Sequence, residues 1–116
     1  MRFIKENYLF FILIISLFIA DRLVKNEILD LLKNIDYLFI NEYLNLNLVF
    51  NTGIGFGILS LNAGVYYNIL TVVIFLVILF LLFIMIKLST KEKIYFSLII
   101  GGAIGNLYDR IFFKAV

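Results

Sequence analysis

The residues best suited to chemistry lie near the end of the chain, in the stretch GGAIGNLYDR from Gly101 to Arg110. On a helix, Gly102, Gly105, Asn106 and Asp109 fall at i, i+3, i+4 and i+7, so they share one face. That face is small, then polar, then acidic. A carboxylate at the end of an apolar run faces a protein interior or a wet cavity rather than lipid, and ionisable groups in such places are functional candidates. Gly101 and Gly105 also have the GxxxG spacing that lets two membrane helices approach closely. We therefore expect Gly102 and Gly105 to contact another helix. The chemistry open to Asp109 is proton transfer. Peptide hydrolysis by carboxylates needs two of them, one taking a proton from water and one polarising the carbonyl. Such a pair titrates as a unit. A plainer role is also open, an ion pair with Arg110.

Two further constellations stand upstream. Asp21 and Lys25 are i, i+4 on a helix, the spacing of a helix-end ion pair. Asn51-Thr52-Gly53 has the composition of a turn, since Asn and Gly tolerate positive φ.

The chain has 116 residues, no His and no Cys. That excludes a Ser-His-Asp triad, a Cys-His pair, disulfides and most zinc sites; no metal or cofactor is expected. A net charge of +2 is too small to suggest nucleic acid as a partner. With 64% hydrophobic and 16% charged residues and a mean hydropathy of +1.08, this is a polytopic membrane protein.

The elements that must position these groups follow from the hydropathy pattern. Arg2 and Lys5 precede an apolar run from Tyr8 to Ala20. No small-x-small cleavage site follows, so we read a membrane helix over about 7–28 rather than a cleaved signal. Leu44 to Phe50 alternates apolar and polar, the pattern of a half-buried strand. Asn51-Thr52-Gly53 turns it, and Ile54 to Leu59 is a candidate second strand, giving a small sheet within about 37–60. Membrane helices are expected over about 64–87 and 94–112, joined by a loop with Lys87, Lys91 and Lys93. No linker or repeat divides residues 1–116, which read as one membrane domain.

Basic residues gather at the head and in the lysine loop, while the segment from Asp21 to Ala63 carries five acids. The positive-inside rule puts the head and the lysine loop in the cytoplasm. Parity then puts the sheet, Asp21, Lys25, Asn51 and Asp109 at the outer face.

GGAIGNLYDR resembles the motif of the lipoprotein signal peptidases (signal peptidase type II). In that family its aspartate is one of two catalytic aspartates. Asp21 and Lys25 resemble the family's DxxxK motif, with Arg22 where the family usually has Gln. NTGIGFG resembles its N-x-G-x-x-F stretch, with Ile54 and Gly55 in place of alanines. The resemblance implies a metal-free aspartic endopeptidase of the bacterial cytoplasmic membrane, with four membrane helices and an extracytoplasmic sheet. Its partners would be prolipoprotein signal peptides bearing a lipid-modified cysteine, and membrane lipid. By the same resemblance Asp109 is catalytic, Asn106 and Arg110 extend its motif, and Asp21, Lys25, Asn51 and Gly53 support the site and substrate. The family's second aspartate lies at the start of a fourth helix. These 116 residues contain three helices and no match for it, Asp30 and Asp36 being near only by location. We therefore expect the chain alone to be inactive. The alternative is a non-catalytic membrane protein that holds signal helices through the glycine face, and a small transporter subunit is a third reading.

Overall fold

The computed structural model describes residues 2–35, 37–53 and 64–116, with the side chains of residues 2–4 outside that description. Three helices and one hairpin make up the described fold: α1 (Arg2–Leu31), β1 (Tyr37–Asn41), β2 (Leu44–Asn47), α2 (Val65–Met85) and α3 (Thr90–Phe112).

α1 is longer than its apolar run at both ends. At ~1.5 Å per residue it extends roughly 45 Å, more than the ~30 Å of a hydrocarbon core. The stretch Lys5–Leu31 and helix α2 are each long and apolar enough to cross a membrane. α3 starts at Thr90, four residues before the expected Ile94. The cause is local. Ser89 donates its backbone N–H and its hydroxyl to the Glu92 carboxylate, at 2.9 and 2.7 Å, which orders the first turn. These two donors hold the Glu92 carboxyl below its ordinary range, the hydroxyl most of all.

α3 lies between α1 and α2 and packs on both. The buried apolar core is small: Ile14 from α1, Ile78 and Met85 from α2, Ile100 and Leu107 from α3. Most large apolar side chains of α2, among them Phe75, Leu76, Phe80 and Phe83, are instead exposed. An apolar surface of this extent has lipid as its natural solvent. α1 and α3 run parallel. Asn7 meets Lys93 near their N-terminal ends, and Asp21 to Lys25 meet Asn106 and Asp109 near their C-terminal ends.

The close approach of α3 to α1 uses Gly101 and Gly105. A Cβ on Gly101 would lie 2.8 Å from Leu17 Cβ, and one on Gly105 would lie 2.8 Å from Asp21 Cγ. Leu17 and Asp21 are four apart and so are the two glycines, so one residue per turn meets one glycine per turn. The expected contact at Gly105 is found, but the one at Gly102 is not. Nothing lies within 4 Å of a Cβ there, because the 101/105 ridge faces α1 and turns Gly102 outward.

β1 and β2 pair antiparallel, with Leu38 opposite Leu46 and Tyr37 opposite Asn47. Leu46 and Leu48 are half-buried while Asn45 and Asn47 are exposed, but Leu44 and Phe50 are exposed too, and of the strand expected over Leu44 to Phe50 only Leu44–Asn47 is found. The partner of β2 is the preceding segment, joined through Glu42-Tyr43, with Tyr43 N–H donating to Asn41 Oδ1 at 2.9 Å. The candidate strand at 54–59 lies outside the described residues.

Candidate functional site

The C-terminal halves of α1 and α3 carry the groups singled out by their chemistry. Asp21 and Lys25 sit one turn apart on α1, and Asn106 and Asp109 lie on the last turns of α3. Helical spacing alone aims each pair along its own helix; the glycine contact brings the two pairs together. Asp21 reaches α3 because position 105 has no side chain. A Cβ at that position would fall within contact distance of Asp21 Oδ2.

The result is a closed ring of alternating charge. Lys25 Nζ lies 3.0 Å from Asp21 Oδ2 and 2.6 Å from Asp109 Oδ2. Arg22 Nη2 lies 3.1 Å from Asp21 Oδ2 and 2.6 Å from Asp109 Oδ1. Lys25 Nζ also donates to Asn106 Oδ1 at 3.1 Å. The Asp109 side chain is 7% exposed, against 24% for Asp21 and 29% for Lys25. Both oxygens of Asp109 are therefore engaged by cations within the protein, on a carboxylate that is nearly closed to solvent. In this geometry the carboxylate fastens α1 to α3. Each oxygen keeps one further lone pair for a bond to water or substrate.

Asn51, Gly53 and Arg110 form a second cluster beside the ring. Gly53 N–H donates to Asn51 Oδ1 at 2.8 Å, closing the expected turn. The buried Arg110 donates from Nη2 to the Gly53 carbonyl, and its guanidinium lies 5.4 Å from the centre of the Tyr67 ring. Tyr67 Oη donates to the Arg110 carbonyl at 3.4 Å. The Asn51 N–H donates to the Val116 carbonyl at 2.8 Å, and the Val116 N–H donates back to the Asn51 carbonyl at 2.9 Å. Arg110 thus ties the segment after β2 to α2 and α3; its ion pair with Asp109, open from the sequence, is not among the ion pairs of the described residues.

A cavity of about 340 Å³ borders the ring. Arg22, Lys25 and Asp109 form its polar wall, and Leu29, Phe50 and Phe113 are among its apolar walls.

Sequence reasoning gave no role to Arg22, Tyr67 or Tyr108. Arg22 is one residue from Asp21 and so points about 100° away on a helical projection; only its long side chain brings it into the ring. Tyr67 carried no signal, being one tyrosine among the apolar residues of α2.

Comparison with known proteins bears on what this arrangement does. The family described as Signal peptidase (SPase) II matches residues 13–116. The chain is similar to a lipoprotein signal peptidase of Pelagibacter ubique, 41% identical over 116 residues, covering 97% of this chain and 69% of that protein. It is 40% identical over 102 residues to one of Clostridium acetobutylicum, covering 84% of this chain and 64% of that protein. It is 34% identical over 116 residues to one of Francisella tularensis, covering 97% and 72%. The chain thus spans about two thirds of the length of these relatives. No solved structure matches it.

Proposed function

The chain belongs to the signal peptidase II family, and from that premise we propose that its ion ring is part of a site where signal peptides are cut from lipid-modified prolipoproteins. The family is one of aspartic endopeptidases. The observation that carries the reading is the convergence of Asp21, Lys25, Asn106 and Asp109, from two separate helices, into hydrogen-bonding distance beside a mostly apolar cavity. Ionisable groups gathered at the end of apolar helices are costly to keep and mark function.

In this reading α3 is the third membrane span. The head and the lysine loop lie in the cytoplasm of a bacterium, and the hairpin lies at the outer surface. The parallel course of α1 and α3 supports it, since two parallel spans need one antiparallel crossing between them, and α2 supplies it. Cysteines introduced as Asn34→Cys and Lys91→Cys should react from opposite sides with an impermeant reagent. Labelling from one side would overturn this topology.

Asp109 serves here as the anionic anchor of the site. Its role as a proton-transferring carboxylate, expected from the resemblance, would use the lone pairs that Arg22 and Lys25 leave open. The resemblance implies a second carboxylate as its partner, and Asp21, held by the same two cations, is not assigned that part. The test compares the 116-residue chain with the product of its full reading frame, each in detergent micelles with a lipidated prolipoprotein, read by mobility shift. Cleavage by the full product and none by the 116 residues is the expected result. Cleavage by the 116 residues that Asp109→Asn removes would overturn the need for a further carboxylate. Signal-peptide binding without cleavage by either protein would favour a non-catalytic role in holding signal helices.

A further inference from the structure

We propose that Arg22 is a positioning residue of this site, fixing the plane of the Asp109 carboxylate and its separation from Asp21. The inference rests on the reading that this end of the molecule is the processing site.

A carboxylate held through one oxygen can still rotate about its last side-chain bond. Asp109 is held through both. Lys25 takes Oδ2 and Arg22 takes Oδ1, each at 2.6 Å, from positions three apart on α1. Removing Arg22 leaves one point of attachment. The same Arg22 nitrogen also lies 3.1 Å from Asp21 Oδ2, so a single group sets the spacing of the two carboxylates. Lys25 touches both as well, but as a compact point charge on a flexible stem. A guanidinium is planar and fixes direction as well as distance.

The Arg22 side chain is itself immobilised. It is 14% exposed, and its guanidinium carbon lies 4.9 Å from the centre of the Tyr108 ring. Tyr108 packs in turn on Phe18 of α1 at 5.7 Å and on Phe112 of α3 at 4.5 Å, ring centre to ring centre. The guanidinium therefore leans on an aromatic stack spanning both helices. Its position is set by the same packing that sets α1 against α3. A surface arginine neutralising a nearby acid would need none of this.

The experiment uses the product of the full reading frame with Arg22→Met and Arg22→Lys. Displacing a site group by about an ångström costs up to roughly a hundredfold in rate. Arg22→Met is expected to lower kcat for prolipoprotein cleavage by on the order of ten- to a hundredfold, with KM little changed. Arg22→Lys, which restores charge without planarity, should recover part of that loss. A merely structural residue would lower the folded fraction and leave kcat per folded molecule unchanged, and that result overturns the proposal. A second measurement does not depend on activity. Melting of Arg22→Met, Asp109→Asn and the double variant in detergent should show that the two changes together cost less than their sum; additivity would overturn the proposal on its own. If the unsubstituted protein cleaves no prolipoprotein, the peptidase reading fails, and the melting cycle still decides whether Arg22 holds Asp109.

Discussion

α1 and α3 are tied together at both ends by polar groups, and the two ties are built differently. Near their N-terminal ends, Lys93 Nζ donates to the buried Asn7 Oδ1 at 2.8 Å and lies over the Phe10 ring. Ser97, fully buried, donates to the Lys93 carbonyl on its own helix. In that contact a single cation meets a neutral amide. At the other end, two carboxylates and two cations are drawn into one ring. Holding two helices together does not require this, since buried ion networks can often be replaced by apolar side chains at no loss of stability. The simpler tie shows what packing alone needs. The charge in excess of it, at the ring, is the part that the proposed function would account for.

The largest effect that can break or sharpen this contrast is expected from Asp109→Asn. The amide keeps the shape and leaves Arg22 and Lys25 without their shared anion. Breaking one partner of a buried ion network costs about 3–5 kcal/mol, and processing of a lipidated prolipoprotein should fall at least about a hundredfold. Melting in detergent and a mobility-shift assay read the two quantities. Normal processing by the Asn variant would put the ring in the same class as the simpler tie.

Next in size is the glycine ridge. Gly105→Ala pushes into Asp21 and should cost roughly 1–3 kcal/mol, with a loss of processing because Asp21 belongs to the ring. Gly101→Ala presses on Leu17 and on the Ile14 carbonyl, neither part of the ring, so stability should fall while processing per folded molecule holds. Gly102→Ala meets open space and should be neutral or gain up to ~1 kcal/mol from helix propensity. The order Gly105, Gly101, Gly102 in processing is the test. Equal effects at 101 and 105 would mean that the ridge serves packing alone.

The contrast also explains how much could be read in advance. Asp21 and Lys25 were legible from their spacing, and Asn106 and Asp109 from theirs, because an i, i+4 or i, i+3 pair is a local property of a helix. The glycines were legible as a close-contact ridge, but their facing side was not. A residue-by-residue projection leaves 101 and 102 only 100° apart, and the neighbouring helix decides between them. Arg22 was invisible for the same reason in reverse: the projection puts it off the face, and its reach puts it back. α1 and α2 were clear from apolar length; α3, with Lys91, Glu92 and Lys93 at its start and Asp109 and Arg110 near its end, is a helix but not one of the two long apolar stretches among the described residues. β1 was not, because its hairpin turn, Glu42-Tyr43, has none of the Gly or Asn-Gly chemistry that marks tight turns. Asn41 closes the turn from outside instead.

A smaller effect is expected from Lys93→Met at the simpler tie. The loss of a charged donor to Asn7 should cost about 1–2 kcal/mol, partly offset because the Met side chain can cover Phe10. Processing per folded molecule should stay within twofold of the unsubstituted protein. A processing loss larger than the loss of folded protein would show that the two ends are coupled through α3 and that the contrast drawn above is too simple.

The smallest effect belongs to the first turn of α3, next to that simpler tie. The Glu92 carboxyl is held below its ordinary value of 4.5 by the Ser89 hydroxyl and then by the Ser89 amide. Because its folded value is depressed, the stability it adds is complete above the ordinary value and is lost as the pH falls through the lower, folded one. The group is fully exposed, so the effect stays local and is weakened by salt. Amide exchange in residues 90–93 should therefore speed up as the medium is acidified through this window, after correction for the intrinsic pH dependence of exchange, while the last turns of α3 around Asp109 hold their protection. Ser89→Ala removes the hydroxyl donor, the larger cause, and leaves the amide. In that variant the loss of protection should begin at higher pH, closer to the ordinary glutamate range, with processing unchanged. An unaltered onset in Ser89→Ala would mean that the hydroxyl does not hold the carboxylate. A change in processing would tie the start of α3 to the ring at its far end, which the separation of the two ties argues against.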